Sequence, residues 1–210
     1  MSTRILLIVV GLAAFAATAI DAFASEHNAY EGRIALVWKL DEPDGLCLDL
    51  PGPPSNLLLD RPAVVHTCKP GDFRDMIFRF NGESSSTIKT MLPNPALCLQ
   101  ADEITEGSLL HYVECNDESD QQLFKYIENG QIFLAATADH KSPLCLSART
   151  AKPTRIGEPQ SLDDPHGHSI IVNLESSHVI RPLVLRDCDS TPLEVSQWEA
   201  YEERDLRKFQ

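Results

Sequence analysis

The sequence predicts an all-β fold built from three similar units. A short cysteine-containing word occurs three times, and each copy is followed by a strand-like run that ends in a second cysteine. Composition agrees, because the 14 prolines outnumber the 10 glycines and long helix-forming runs are scarce. A chain of 210 residues is also long enough to bury a substantial core.

The repeated word is Leu-Cys-Leu, found at residues 46–48, 97–99 and 144–146. A cysteine between two leucines is typical of a short buried strand. Because an internal repeat determines the whole architecture, each copy is interpreted as marking one structural unit. The leucines of the three words are predicted to lie in the core.

Two further elements follow each word. The second cysteines are Cys68, Cys115 and Cys188. An aromatic residue then closes each unit: Phe78, Phe124 and Trp198. Asn81-Gly82 and Asn129-Gly130 follow the first two aromatics, and Asn-Gly between apolar runs favours a hairpin turn. Each unit is therefore predicted to have four strands, and the closing aromatics to join the core.

The amino-terminal residues predict secretion. Arg4 precedes an uncharged apolar run at residues 5–20, and Ala22-Phe23-Ala24 fits a cleavage site. We expect a signal peptide at residues 1–24 and a single secreted, extracellular domain at residues 25–210. The alternative is an uncleaved anchor, but the run is shorter than the roughly 20 residues that span a bilayer. No membrane span is predicted.

The cysteines are predicted to form disulfides. All six lie after residue 24, and an even number in an oxidising compartment favours complete pairing. Zinc is the competing use of cysteine, but the sequence lacks the C-x-x-C spacing that zinc sites favour. Several pairings are compatible with the sequence, so the pattern alone leaves the connectivity open.

These motifs resemble the ricin-type lectin β-trefoil family over roughly residues 30–201. Members have a Cys-Leu-Asp word, a second cysteine bonded to the first, and a Gln-x-Trp word in each repeat. The resemblance implies a β-trefoil with repeats at about 30–80, 81–127 and 128–201 and no cofactor. It also implies three disulfide pairs: Cys47–Cys68, Cys98–Cys115 and Cys145–Cys188.

The resemblance also implies a carbohydrate site in the first repeat. Family members bind sugars with an Asp after the first cysteine, an aromatic residue before the second, and polar residues ahead of the closing aromatic. The matching residues are Asp49, His66 and Asp75, although Met76 replaces the usual Gln. Carboxylates accept hydrogen bonds from sugar hydroxyls, and a ring packs on the apolar face of a sugar.

The other two repeats have lost more of this pattern. The second repeat has Gln100, Val113, Gln121 and Gln122 at these positions. The third has Ser147, Arg186, Val195 and Ser196. Neither set contains both a carboxylate and a ring, so sugar binding is predicted only in the first repeat, and predicted to be weak.

The third repeat carries an insertion at about residues 152–180. The segment is rich in Pro, Asp and Ser, which is typical of a surface loop. His166 and His168 within it are potential metal ligands, but solvated loop histidines are commoner, and no metal site is predicted. The insertion remains a candidate surface for a partner.

Two functions follow from these observations. The first is a non-catalytic lectin module with weak or altered binding to a galactose-type glycan or glycoprotein. The alternative is a secreted scaffold that has lost its sugar sites and binds an extracellular protein, as a protease inhibitor or effector does. Common catalytic motifs such as G-x-S-x-G and H-E-x-x-H do not occur in the sequence. A net charge of -13 argues against nucleic acid.

Overall fold

The computed structural model describes residues 30–40, 42–53, 55–71, 73–92, 95–149, 171–173 and 178–202. Within these ranges the fold is all-β, as predicted, and its only helical elements are three short 3₁₀ turns. These turns are Arg74–Met76, Ala135–Thr137 and Leu193–Val195. The predicted signal peptide and most of the predicted insertion lie outside the described residues.

Fourteen strands make up the described part of the sheet. In chain order they are β1 (Tyr30–Leu36), β2 (Leu46–Asp49), β3 (Val64–Thr67), β4 (Phe78–Phe80), β5 (Ser86–Thr87), β6 (Lys89–Thr90), β7 (Leu97–Ala101), β8 (Leu110–Glu114), β9 (Leu123–Tyr126), β10 (Ile132–Leu134), β11 (Leu144–Ala148), β12 (Ile171–Asn173), β13 (His178–Asp187) and β14 (Trp198–Glu202).

The three Leu-Cys-Leu words occupy corresponding strands, β2, β7 and β11. Each strand pairs antiparallel with the strand before its word, and the first cysteine faces one residue there. The facing pairs are Ala35 with Cys47, Lys89 with Cys98, and Phe133 with Cys145. The same sequence word therefore has the same strand partner three times.

One disulfide joins each word to the end of a later strand. The three disulfides are Cys47–Cys68, Cys98–Cys115 and Cys145–Cys188, the pairs that the family resemblance implies. Each links β2, β7 or β11 to the residue just beyond its neighbouring strand. The local sheet around each word is therefore covalently fixed.

The predicted core residues lie in one hydrophobic cluster. All nine are buried: Leu46, Leu48, Phe78, Leu97, Leu99, Phe124, Leu144, Leu146 and Trp198. The indole nitrogen of Trp198 donates a hydrogen bond to the carbonyl oxygen of Leu146 at 2.9 Å. Its one polar atom is thus satisfied inside the core, as a buried Trp requires.

Two long-range pairings determine how distant strands meet. One joins the first and last of the described strands, and the other places the candidate site. β14 pairs with β1, with Trp198 opposite Leu36. β13 pairs with β11 and also with β3, where Ile180 faces His66. As a result, the predicted site residue His66 lies on a strand with neighbours on both sides, β2 and β13.

Candidate functional site

The structure brings the three predicted site residues together beside the β2–β3 pair. Asp49 is the last residue of β2, and His66 lies in β3. Asp75 lies in the 3₁₀ turn before β4. The backbone N–H of Leu50 donates to the carbonyl oxygen of Asp75 at 3.2 Å, which holds this turn against the end of β2.

Lys69 joins the two carboxylates. Its ammonium nitrogen lies 3.2 Å from Oδ2 of Asp49 and 3.0 Å from Oδ2 of Asp75. Both aspartates are buried, whereas the Lys69 side chain is 20% exposed. Nδ1 of His66 lies 3.7 Å from the same Oδ2 of Asp49. We call Asp49, His66, Lys69 and Asp75 the charged cluster.

One ammonium shared by two buried carboxylates leaves negative charge uncompensated. Burial raises the pKa of Asp49 to about 7; Lys69 opposes this shift, and repulsion from Asp75 adds to it. Burial works against the charged form of Lys69, but the two carboxylates prevail and hold its pKa above the usual value. Near neutral pH the cluster therefore exchanges a proton at Asp49.

Two carboxylate oxygens of the cluster have no hydrogen-bond donor in the part of the chain that the structure describes. Among the described residues, neither Oδ1 of Asp49 nor Oδ1 of Asp75 has a hydrogen-bond partner. A buried acceptor without a donor costs about 1–3 kcal/mol, and more when it is charged. Hydroxyl groups of a ligand are donors that would satisfy such oxygens.

Phe73 is the exposed ring beside this cluster. The Lys69 nitrogen lies 5.5 Å from its centroid, within the range of a cation–π contact, and Phe73 is 39% exposed. His66, the ring that the family pattern points to, is buried, and its Nδ1 lies 3.0 Å from the carbonyl oxygen of Thr67. Phe73 therefore presents more ring surface to a ligand than His66 does.

Lys69 and Phe73 were not selected from the sequence. Lys69 follows the second cysteine of its repeat directly, where the other repeats have Asn116 and Asp189. A basic residue at that position was an available signal, because neither equivalent is basic and Asp75 lies six residues further along the chain. Phe73 carried no comparable signal, because its exposure depends on the folded loop.

At the corresponding position of the second repeat, side-chain amides hydrogen-bond to one another and to the backbone. Nε2 of Gln122 donates to Oε1 of Gln100 at 2.9 Å and to the carbonyl oxygen of Glu114 at 3.1 Å. Its Oε1 accepts from the backbone N–H of Asn116 at 2.8 Å. The Gln122 amide thus serves the protein itself.

The third repeat also uses its polar groups internally. The hydroxyl of Ser196 donates to the carbonyl oxygen of Pro192 and accepts from Nε2 of Gln131, each at 3.0 Å. Ser147 is buried, and Arg186 forms an ion pair with Glu106 at 3.6 Å. Of the three corresponding positions, the first alone has buried carboxylates.

The described residues contain no group of three or more side chains arranged to hold a metal ion. His166 and His168, the alternative metal ligands, lie outside the described residues. None of the described helices is long and apolar enough to cross a membrane.

The fold and the disulfides define a small all-β module with three corresponding cysteine words. Residues 39–168 match the family described as the ricin-type beta-trefoil lectin domain, and the chain belongs to that family. A search of curated proteins finds no match. Domains of this family are typically non-catalytic and bind carbohydrates, which indicates a carbohydrate-binding module.

Proposed function

We propose that the protein is a secreted, non-catalytic lectin module that binds sugar at the charged cluster. The observation that carries this proposal is the pair of carboxylate oxygens without donors, on Asp49 and Asp75. Sugar hydroxyls supply donors, and the half-buried Lys69 supplies a donor to a third hydroxyl. Family membership supports the same function.

The cluster favours weak binding. Lys69 already occupies Oδ2 of each aspartate, so a sugar must displace the Lys69 side chain before it can reach the two carboxylates. We expect a dissociation constant in the millimolar range, about -4 kcal/mol of binding free energy. The exposed ring of Phe73 is placed to pack on the apolar face of the sugar, in the role that the family pattern gives to His66.

The compartment and boundaries are part of this proposal. Three disulfides are expected of a protein in an oxidising, extracellular compartment. This supports a signal peptide at residues 1–24 and one domain of three repeats at residues 25–210. The galactose-type preference rests on the family resemblance.

A titration with methyl β-galactoside, followed by NMR, tests the site. We expect shifts of the amide signals of Asp49, Lys69 and Phe73, and their loss in Asp75→Asn. Gln121→Asn is the matched control, since Gln121 holds the corresponding position in the second repeat and donates to the carbonyl oxygen of Asp102. Equal loss in the control, or no shift with any monosaccharide, would contradict the proposal.

A second candidate function is a scaffold that binds an extracellular protein. It is favoured by three large apolar side chains exposed after β1: Val37, Trp38 and Leu40. Trp38 is 49% exposed, which is more than a folded domain normally leaves of this residue. A glycan array separates the functions: specific retention supports the lectin, whereas a flat array and capture of an extracellular protein that Trp38→Ser abolishes support the scaffold.

A further inference from the structure

A break in the threefold pattern of the core lies two residues beyond the closing aromatics. Residues two apart in a strand point to the same face of the sheet. Phe80 follows Phe78 at this spacing in β4, and Tyr126 follows Phe124 in β9. The corresponding residue of β14 is Ala200. Two repeats thus place a ring where the third has a methyl group.

The register of the sheet places these residues at the same level. Ala200 faces Ile34 of β1, and Tyr126 faces Ile132 of β10. Phe80, the third member of the set, pairs with Tyr30 at the start of β1. The missing third ring therefore leaves space between strands of all three repeats.

A cavity of about 450 Å³ lies there, and Phe80, Tyr126 and Ala200 all line it. Ile34 and Ile132 add aliphatic wall, and the half-exposed Tyr30 adds a third ring. The volume is within the range of sites that hold small molecules. The lining is thus chiefly aromatic and aliphatic.

Three carboxylates complete the lining: Glu83, Glu128 and Glu199. Burial raises the pKa of Glu199, the least exposed of them. None of the described residues that line the cavity is Lys, Arg or His. Among the described residues, the lining of the cavity therefore combines ring faces with acidic groups and has no cationic side chain.

We propose that this cavity binds a small organic ammonium ion. Ring faces attract such a cation by cation–π interaction, and its alkyl groups fill the space beside Ala200. The carboxylates supply the opposite charge, and the net charge of -13 draws cations towards the protein. The site is separate from the charged cluster, because the two share no lining residue.

A neutral polyol fits this cavity less well than a cation. The hydroxyl of Tyr126 donates its proton to the carbonyl oxygen of Trp198, and Glu199 accepts from the hydroxyl of Tyr201. Two of the polar groups in or beside the cavity are therefore committed to the protein. A cation needs no directed partner for each polar atom, whereas a sugar does.

Calorimetric titration with choline and its neutral isostere, 3,3-dimethylbutan-1-ol, tests the charge requirement. The two probes share shape and differ in the ammonium nitrogen. We expect choline to bind at least tenfold more tightly than the alcohol. Equal binding of both, or no choline binding at millimolar concentration, would overturn the proposal.

Variants then place the site. Ala200→Phe supplies the missing ring and is expected to abolish choline binding, while Glu199→Gln keeps the hydrogen-bond acceptor and is expected to weaken it several-fold. If Ala200→Phe does not fold, Glu199→Gln alone tests the position of the site. Asp120→Asn, at an exposed acidic residue outside the cavity, is expected to leave choline binding unchanged. Choline binding that survives Glu199→Gln at full strength, or its displacement by methyl β-galactoside, would contradict an ammonium site here.

Discussion

The first and second repeats solve the same structural problem with different chemistry. In both, a buried or half-buried polar side chain, Asp49 or Gln100, directly follows the Leu-Cys-Leu word. In the second repeat Gln122 satisfies Gln100 and the neighbouring backbone through three hydrogen bonds. In the first repeat an ion pair with Lys69 takes that place, and one oxygen of Asp49 has no donor among the described residues.

This difference distinguishes polar side chains that hydrogen-bond within the fold from polar side chains that could still bind a ligand. The neutral amide network of the second repeat costs little to bury, because each of its groups is paired. The charged cluster pays for desolvation of three groups and leaves two acceptors unsatisfied. A ligand that donates hydrogen bonds to these oxygens would offset part of this cost.

The largest effect is expected from removing the shared cation. Lys69→Met removes the cation shared by two buried carboxylates, which should lower the free energy of unfolding by about 3–5 kcal/mol at pH 8. At pH 5 the loss should be smaller, because Asp49 is then protonated. Urea denaturation at both pH values measures this. Lys125→Met, on the exposed face of β9, is the control and should cost little.

The next effect concerns the proton on Asp49. Its pKa is about 7 in the folded protein and near 3.8 in the unfolded chain, so the folded state holds the extra proton between these values. Stability should therefore fall as the pH rises from about 4 to 7. Relative to Asp49→Asn, the wild type should lose about 2–3 kcal/mol between pH 5 and pH 8. A difference independent of pH would show that Asp49 stays ionised.

The smallest effect is expected in the second repeat. Gln122→Ala leaves the Asn116 N–H and the Glu114 carbonyl without this partner, which should cost about 1–2 kcal/mol. The loss should be the same at pH 5 and pH 8, since no charged group is involved. Gln121→Ala, at a half-buried neighbour with a single hydrogen bond to the Asp102 carbonyl, should change stability by less. Thermal melting at both pH values measures whether the stability contribution of the amide network is independent of pH, unlike that of the charged cluster.

The fold class was predictable because its signal is local and repeated. Each Leu-Cys-Leu word fixes a buried strand, and each disulfide links it to a nearby strand. The all-β prediction and the family are confirmed. The pairing of β13 with β3 was not predicted, because register between distant strands depends on tertiary packing rather than on either sequence alone.

The candidate site was predictable only in part. Asp49, His66 and Asp75 were selected by position in the family pattern, and the structure places them together around Lys69. The role of Lys69 needs the loop after Cys68 to turn back over both aspartates, which no residue periodicity indicates. The exposure of Phe73 likewise depends on that loop.

The pairing of β1 with β14 sets an order in which the molecule is completed during synthesis. β1 leaves the ribosome early and can pair with β2 and β4 along one edge, but its second edge, from Gly32 to Leu36, finds its partner only when β14 emerges. Until then β1 presents an unpaired edge next to an open apolar core, which is an aggregation hazard for a slow, non-local β fold. Early disulfides such as Cys98–Cys115 need no such wait, because both cysteines lie close together in the chain. Chaperones that shield exposed strands are therefore expected to matter most just before β14 emerges.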